Sequence, residues 1–131
     1  MRLATVTHTF EQPIRHVNQT GRDFVAIFTL RLAPAPETVS VQFSNEVTKP
    51  EVEPWIVSAI ERGVREFVSQ REGNGRPVGC LRVVLVEIHI HPADLRELAF
   101  VQAAFMAMTQ AFDAHEALID FGGQDRPIDG R

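Results

Sequence analysis

A chain of 131 residues, 44% of them apolar, can close one hydrophobic core and is too apolar to stay unfolded. Its net charge of −4 excludes a nucleic-acid binder working by bulk electrostatics, though not one with a local cationic patch. Cys80 is its single cysteine, so no internal disulfide is expected. No run of residues reads as a signal peptide or a membrane span, and the expectation is a cytoplasmic protein.

Residues 3–10 alternate, with Ala4, Val6 and Phe10 opposite Thr5, Thr7 and Thr9, which predicts a half-exposed strand ended by Pro13. Residues 14–23 read as a polar loop hinged at Gly21. A second strand follows over 24–32, with Phe24, Ala26, Phe28, Leu30 and Leu32 on one face. After Pro34-Ala35-Pro36, Val39, Val41 and Phe43 mark a third. Such short connections favour an antiparallel meander. Pro54 then suits the first turn of a helix preceded by Glu51 and Glu53, with Ile56, Ile60, Val64 and Phe67 as its buried stripe. Glu61, Arg62, Arg65 and Glu66 face water. Gly63 lies mid-helix, where glycine costs about 1 kcal/mol against alanine, and a close approach by a second helix would explain it. Trp55 is expected to cover the sheet edge.

Gly73-Asn74-Gly75-Arg76-Pro77 turns the chain into its longest apolar run, residues 78–90. Strict alternation puts Val84, Val86, Ile88 and Ile90 on one face, and Leu81, Val83, Leu85, Glu87, His89 and His91 on the other. Apolar on both faces at its start, this is a central strand that emerges at a rim, with Cys80 as inert packing inside it. Pro92 breaks the run, and Asp94 with Glu97 spells a capping box. In the helix behind it, Leu98, Val101, Phe105, Met108 and Phe112 form a bulky stripe that should lie on the sheet, burying Phe105. Ala99, Ala103, Ala107 and Ala111 form a small-residue side to admit the Gly63 helix. Residues 1–117 make the domain, and 118–131 read as a tail.

The order β-β-β-α-β-α defines an α+β two-layer sandwich with its helices on one face. The opposite face, carrying Leu81, Val83 and Leu85, would be left bare. That predicts a homodimer through it, or its coverage by residues 118–121.

Glu87, His89 and His91 share one face of the strand at a spacing of about 7 Å, a set that could hold zinc or iron with a fourth ligand from His8, His16 or His115. Catalysis has little to stand on. No serine occupies a nucleophile elbow, and Glu87 with His89 is the one acid–base candidate. The residues point to a non-enzymatic binding module with no organic cofactor; a small metal-dependent protein is the alternative.

Three motifs in order carry a resemblance: Glu61-Arg62-Gly63, Gly75-Arg76-Pro77-Val78, and Glu97-Leu98-Ala99-Phe100, with His91 and Asp94 between the last two. Over residues 15–112 the chain resembles domain IV of elongation factor G and its relatives among the translational GTPases. The resemblance implies the ribosomal protein S5 domain 2-like fold with a left-handed β-α-β crossover. It also implies a protruding tip, built from two loops, that meets the ribosome, transfer RNA and messenger RNA. The loops match residues 18–23 and 89–94, which makes Arg15, His16, Asn18, Gln19, Arg22 and His91 the RNA-contacting candidates. Arginine forks phosphate and stacks on bases, and Asn or Gln reads base edges. No G-x-x-x-x-G-K-[ST] motif occurs, so the expectation is a free-standing domain that binds no nucleotide through a GTPase fold.

Overall fold

Residues 4–18, 24–36, 40–90 and 96–120 are described by the structure, a computed structural model. In chain order the elements are β1 (Thr5–Val6), β2 (Phe10–Asn18), β3 (Phe24–Pro34), β4 (Val41–Asn45), α1 (Pro54–Gly73), β5 (Leu81–His89), α2 (Glu97–Ala114) and β6 (Ile119–Asp120). The main sheet has the strand order β2-β3-β5-β4; its pairs are antiparallel except β4 with β5, which are parallel and joined through α1. A parallel pair needs such a crossover, so the expected all-antiparallel meander stops at β3. Both helices cover one face, as the two-layer α+β reading requires.

β2 departs most from expectation. The strand runs straight through Pro13, which sits opposite Thr29, and takes in residues 14–18 that read as loop. β2 is an edge strand, where a proline need break no ladder hydrogen bond if its nitrogen faces away from the partner. The strand expected over 3–10 is reduced to β1, which pairs with β6, while Ala4 makes a parallel bridge to Val78. β6 therefore belongs to the fold. Ile119 is buried in the core and Leu118 packs against it, so the domain continues past residue 117.

β5 breaks its own alternation. Thr29 pairs with Glu87 and Leu30 with Leu85, leaving Val86 as an extra residue in a β-bulge. The inward face is therefore Leu81, Val83, Leu85 and Ile88, all with no exposed surface, whereas Val84, Glu87 and His89 face outward. This overturns the expected bare face. Leu81, Val83 and Leu85 lie under the helices and can form no dimer interface, and residues 118–121 are not needed to cover them. The outer face is polar instead: Arg31 reaches Glu11 at 3.7 Å and Glu46 at 3.3 Å across it. Cys80 stands just before the strand, half-buried and with φ +56°, not inside it.

α1 behaves as its pattern dictates. Pro54 opens it, and Ile56, Ile60, Val64 and Phe67 are buried. Arg62–Glu66 and Arg65–Glu61 pair at helical spacing on its wet side. α2 is rotated from expectation and begins at Glu97, with Arg96 at the capping position and no side-chain cap, so Glu97 cannot play its part in the expected capping box. Asp94 lies outside the described residues. Phe100, Val101, Met108 and Phe112 are buried, but Leu98 is 58% exposed, and Phe105 is half-buried with its ring edge-on to Phe67 of α1 at 5.8 Å. Trp55 packs edge-on against Phe100 at 6.0 Å, not over the sheet edge, and its indole N–H donates to Glu53 at 3.0 Å. These pairings advance together along both helices, so α1 and α2 run in the same sense.

Gly63 marks where they touch. A Cβ there would overlap the carbonyl oxygen of Val101 and stand 2.7 Å from the Cβ of Ala104, so the contact expected of Gly63 exists. Ala104 and Val101, not the expected alanine row, receive it. A buried amide ties α2 to the sheet: Gln12 of β2 donates to the Pro13 carbonyl at 3.0 Å and to Gln110 of α2 at 3.4 Å.

Gly63→Ala sets a gain of about 1 kcal/mol in helix propensity against overpacking that typically costs about 1–3 kcal/mol. The atoms in the way are backbone and Cβ, which cannot swing aside. The urea midpoint should therefore fall at unchanged slope, whereas Gly73→Ala, with nothing within 4 Å of its added methyl, should hold or raise it. Phe100→Ala should cost about 3–5 kcal/mol, the range for a fully buried aromatic, and half-buried Phe105→Ala clearly less. The reverse order in chemical denaturation would mean that α2 is turned the other way.

Candidate functional site

The β2–β3 hairpin and the exit of β5 share one end of the sheet. Asn18 pairs with Phe24 at the hairpin's last rung, and Ile27 pairs with His89 at the last residue of β5. The connections 19–23 and 91–95 leave the sheet from these two points. Gln19, Arg22 and His91 lie in them, outside the described residues, and so does the side chain of Asn18.

Of the expected tip residues, Arg15 and His16 can be placed, and the strand separates them. Successive residues of a strand point to opposite faces. Arg15 is exposed on the open face, in register with Ile27 and, across β3, with His89. His16 turns to the helical side, half-buried, and lines a groove of about 420 Å³ with Arg62, Leu98, Phe105 and Met106. The last row that spans β2, β3 and β5 therefore presents Arg15, Ile27 and His89 side by side. Lys49 donates to the Ile88 carbonyl at 3.0 Å, which brings a lysine to this end as well. Sequence reasoning assigned His89 to a metal and passed over Lys49. Strand register, which joins His89 to Arg15, was the missing signal. Further from the turn come Pro13, Thr29 and Glu87, then Glu11, Arg31, Val84 and Ser44.

Glu87 and His89 do share the open face, both exposed, but His91 lies outside the described residues. The suggested fourth ligands are elsewhere. His16 faces the other side. His115 stacks on Phe10 at 4.2 Å, and His8 hydrogen-bonds Thr7, both toward the far end of β2, with Phe10 itself about 10 Å along the strand from the row of Glu87 and about 17 Å from that of His89. Among the described residues no three His, Cys, Asp or Glu side chains come together as a metal set. Among them, too, no helix is long and apolar enough to cross a membrane.

A four-stranded sheet with one parallel crossover and two helices on one face defines a two-layer α+β domain of the ribosomal protein S5 domain 2-like kind. The family model for elongation factor G, domain IV, matches residues 4–115, and the chain belongs to that family. Elongation factor G 1 of Syntrophomonas wolfei subsp. wolfei is 28% identical over 118 residues, covering 88% of this chain. An elongation factor G-like protein of Mycobacterium tuberculosis (strain CDC 1551 / Oshkosh) is 26% identical over 106 residues, covering 80%. A crystal structure from Thermus thermophilus superposes with a TM-score of 0.68 at 28% identity, covering 82% of this chain and 16% of that one. The chain spans 17% and 15% of the two sequence relatives.

Because Glu87 and His89 are exposed on the open face, the double variant Glu87→Ala/His89→Ala should unfold within about 0.5 kcal/mol of the parent in urea. A larger loss would show that these side chains support the fold.

Proposed function

We propose that this chain is a non-enzymatic RNA-binding domain of translation that engages the ribosome through the hairpin end of its sheet. Membership of the elongation factor G domain IV family supports the translational setting. The observation that carries the reading is the register of Arg15 with Ile27 and His89, which groups two cation-capable side chains around an apolar one on an open sheet face. Arginine offers a planar fork to phosphate and a stacking surface to bases, and histidine offers a donor and a ring. Arg22 and His91 belong, on this reading, to the connections that extend the same surface. Nothing in the chemistry calls for a nucleophile or a resident metal. Binding is positional, with phosphate contacts setting affinity.

Co-sedimentation of the chain with ribosomes, across a salt series, tests this. Association should weaken as salt rises, because each phosphate contact releases counterions. Arg15→Ala/His89→Ala and Arg22→Ala/His91→Ala should each reduce binding at least tenfold, with thermal unfolding unchanged. Each should also flatten the salt slope by about one for every phosphate that is no longer neutralised. Wild-type protein that stays in the supernatant at low salt would end the translational reading. Binding that survives both double variants would move the contact away from the hairpin end.

A further inference from the structure

A second cavity, of about 430 Å³, opens between the C-terminal parts of α1 and α2. It lies at the far end of the molecule from the hairpin turn, because α2 runs 18 residues, about 27 Å, away from that end. Arg71, on the last turn of α1, is folded into it. Its guanidinium stands 5.0 Å from the ring centroid of Phe112 and 6.0 Å from that of Phe67, and its Nε donates to the Arg76 carbonyl at 3.1 Å. The Arg76 N–H returns a hydrogen bond to the Arg71 carbonyl at 2.8 Å, closing the turn, and both residues line the cavity. Among the described residues no carboxylate forms an ion pair with Arg71 within 4.0 Å. Burial, then the charge of Arg76, push its guanidinium below the ordinary arginine range, and Asp113 partly opposes them. The arginine is thus held by rings and a carbonyl beside a like charge, a state that an arriving anion would relieve.

The rest of the wall narrows the ligand. Two guanidinium groups suit the oxygens of a phosphate. Asp113 in the wall is an acceptor-only group, so a bare polyvalent anion fits less well than one carrying hydroxyl donors. The amides of Gln70 and Asn74 can both donate and accept there. The volume exceeds what inorganic phosphate needs and lies within the range of about 300–1,000 Å³ usual for small-molecule sites. We propose that this cavity binds a sugar phosphate, its phosphate held by Arg71 and Arg76 and its hydroxyls by Asp113, Gln70 and Asn74. The site is separate from the hairpin end and does not depend on the RNA reading.

Isothermal titration of the full chain with ribose 5-phosphate, inorganic phosphate and ribose tests it. Ribose 5-phosphate should bind at least tenfold more tightly than inorganic phosphate, and ribose not measurably. Arg76→Gln should weaken ribose 5-phosphate at least tenfold in protein whose unfolding transition shows it to be folded at the titration temperature. Arg71→Lys, which keeps the charge and loses the fork, should weaken it similarly. Asp113→Asn should weaken ribose 5-phosphate and leave inorganic phosphate unchanged. Arg15→Ala/His89→Ala should bind ribose 5-phosphate as the parent does. No heat with ribose 5-phosphate, binding indifferent to Arg76→Gln and Arg71→Lys, or inorganic phosphate binding as tightly as the sugar phosphate would each overturn the proposal.

Discussion

The architecture depends on a gap one methyl group wide. At Gly63 the backbone of α1 comes so close to α2 that a Cβ would overlap the Val101 carbonyl and crowd Ala104. Glycine in a helix interior is unfavourable by about 1 kcal/mol, and here that loss is offset by bringing two helix surfaces into direct contact. Once the helices touch there, α2 is enclosed by α1 on one side and by β2 and β3 on another, and Ala99, Ala103, Ala104, Ala107 and Ala111 are all buried. Larger side chains at those positions would hold the layers apart. The same approach brings Phe67 onto Phe105 and Phe112, whose rings then support Arg71. One absent side chain thus sets the spacing of the layer and, a turn and more away, the wall of the far cavity.

How legible each element was depends on whether its pattern had a single phase. α1 carries polar residues on one side and apolar ones on the other, so Ile56, Ile60, Val64 and Phe67 announced its buried face. α2 is apolar nearly all round, and a helix buried on several sides gives periodicity nothing to fix its rotation. The bulkiest row is then the one that periodicity favours, and it puts Leu98 inside and leaves out Phe100. β5 lost its phase at Val86, because alternation carried across a bulge assigns everything beyond it to the wrong face. That single residue produced the expected bare face and the dimer built on it. β2 was hidden by Pro13, which argues against a strand unless the strand lies at an edge, and edges are a property of the assembled sheet.

The candidate site was legible in its residue types and not in its grouping. Arg15 and His16 are neighbours in sequence and part to opposite faces once residues 14–18 become strand. Arg15 and His89 are 74 positions apart and meet in one row of the sheet. Only register could join them, and register was unknown while β2 was read as loop. Arg71 lies in no motif, and Arg76 lies in one that marks a turn and says nothing of Arg71. The turn between them and the rings beneath Arg71 make them a pair.

Charge gives the open face a direction. At its middle Arg31 is spent on Glu11 and Glu46, so the largest cation there presents little net field outward. Toward the hairpin turn, the rows Pro13, Thr29, Glu87 and Arg15, Ile27, His89 hold Glu87 as their one carboxylate beside Arg15. The chain as a whole is acidic, with net charge −4. Such a body repels a polyanion at long range, and only within a Debye length of about 8 Å at physiological salt do local cations decide an encounter. An acidic chain is therefore compatible with anion contact at a local cationic patch. The polarity follows from strand order: with β3 central, Arg31 has acidic neighbours on both sides to pair with, whereas Arg15, near the open end of an edge strand, has a single neighbouring strand, and that strand offers Ile27.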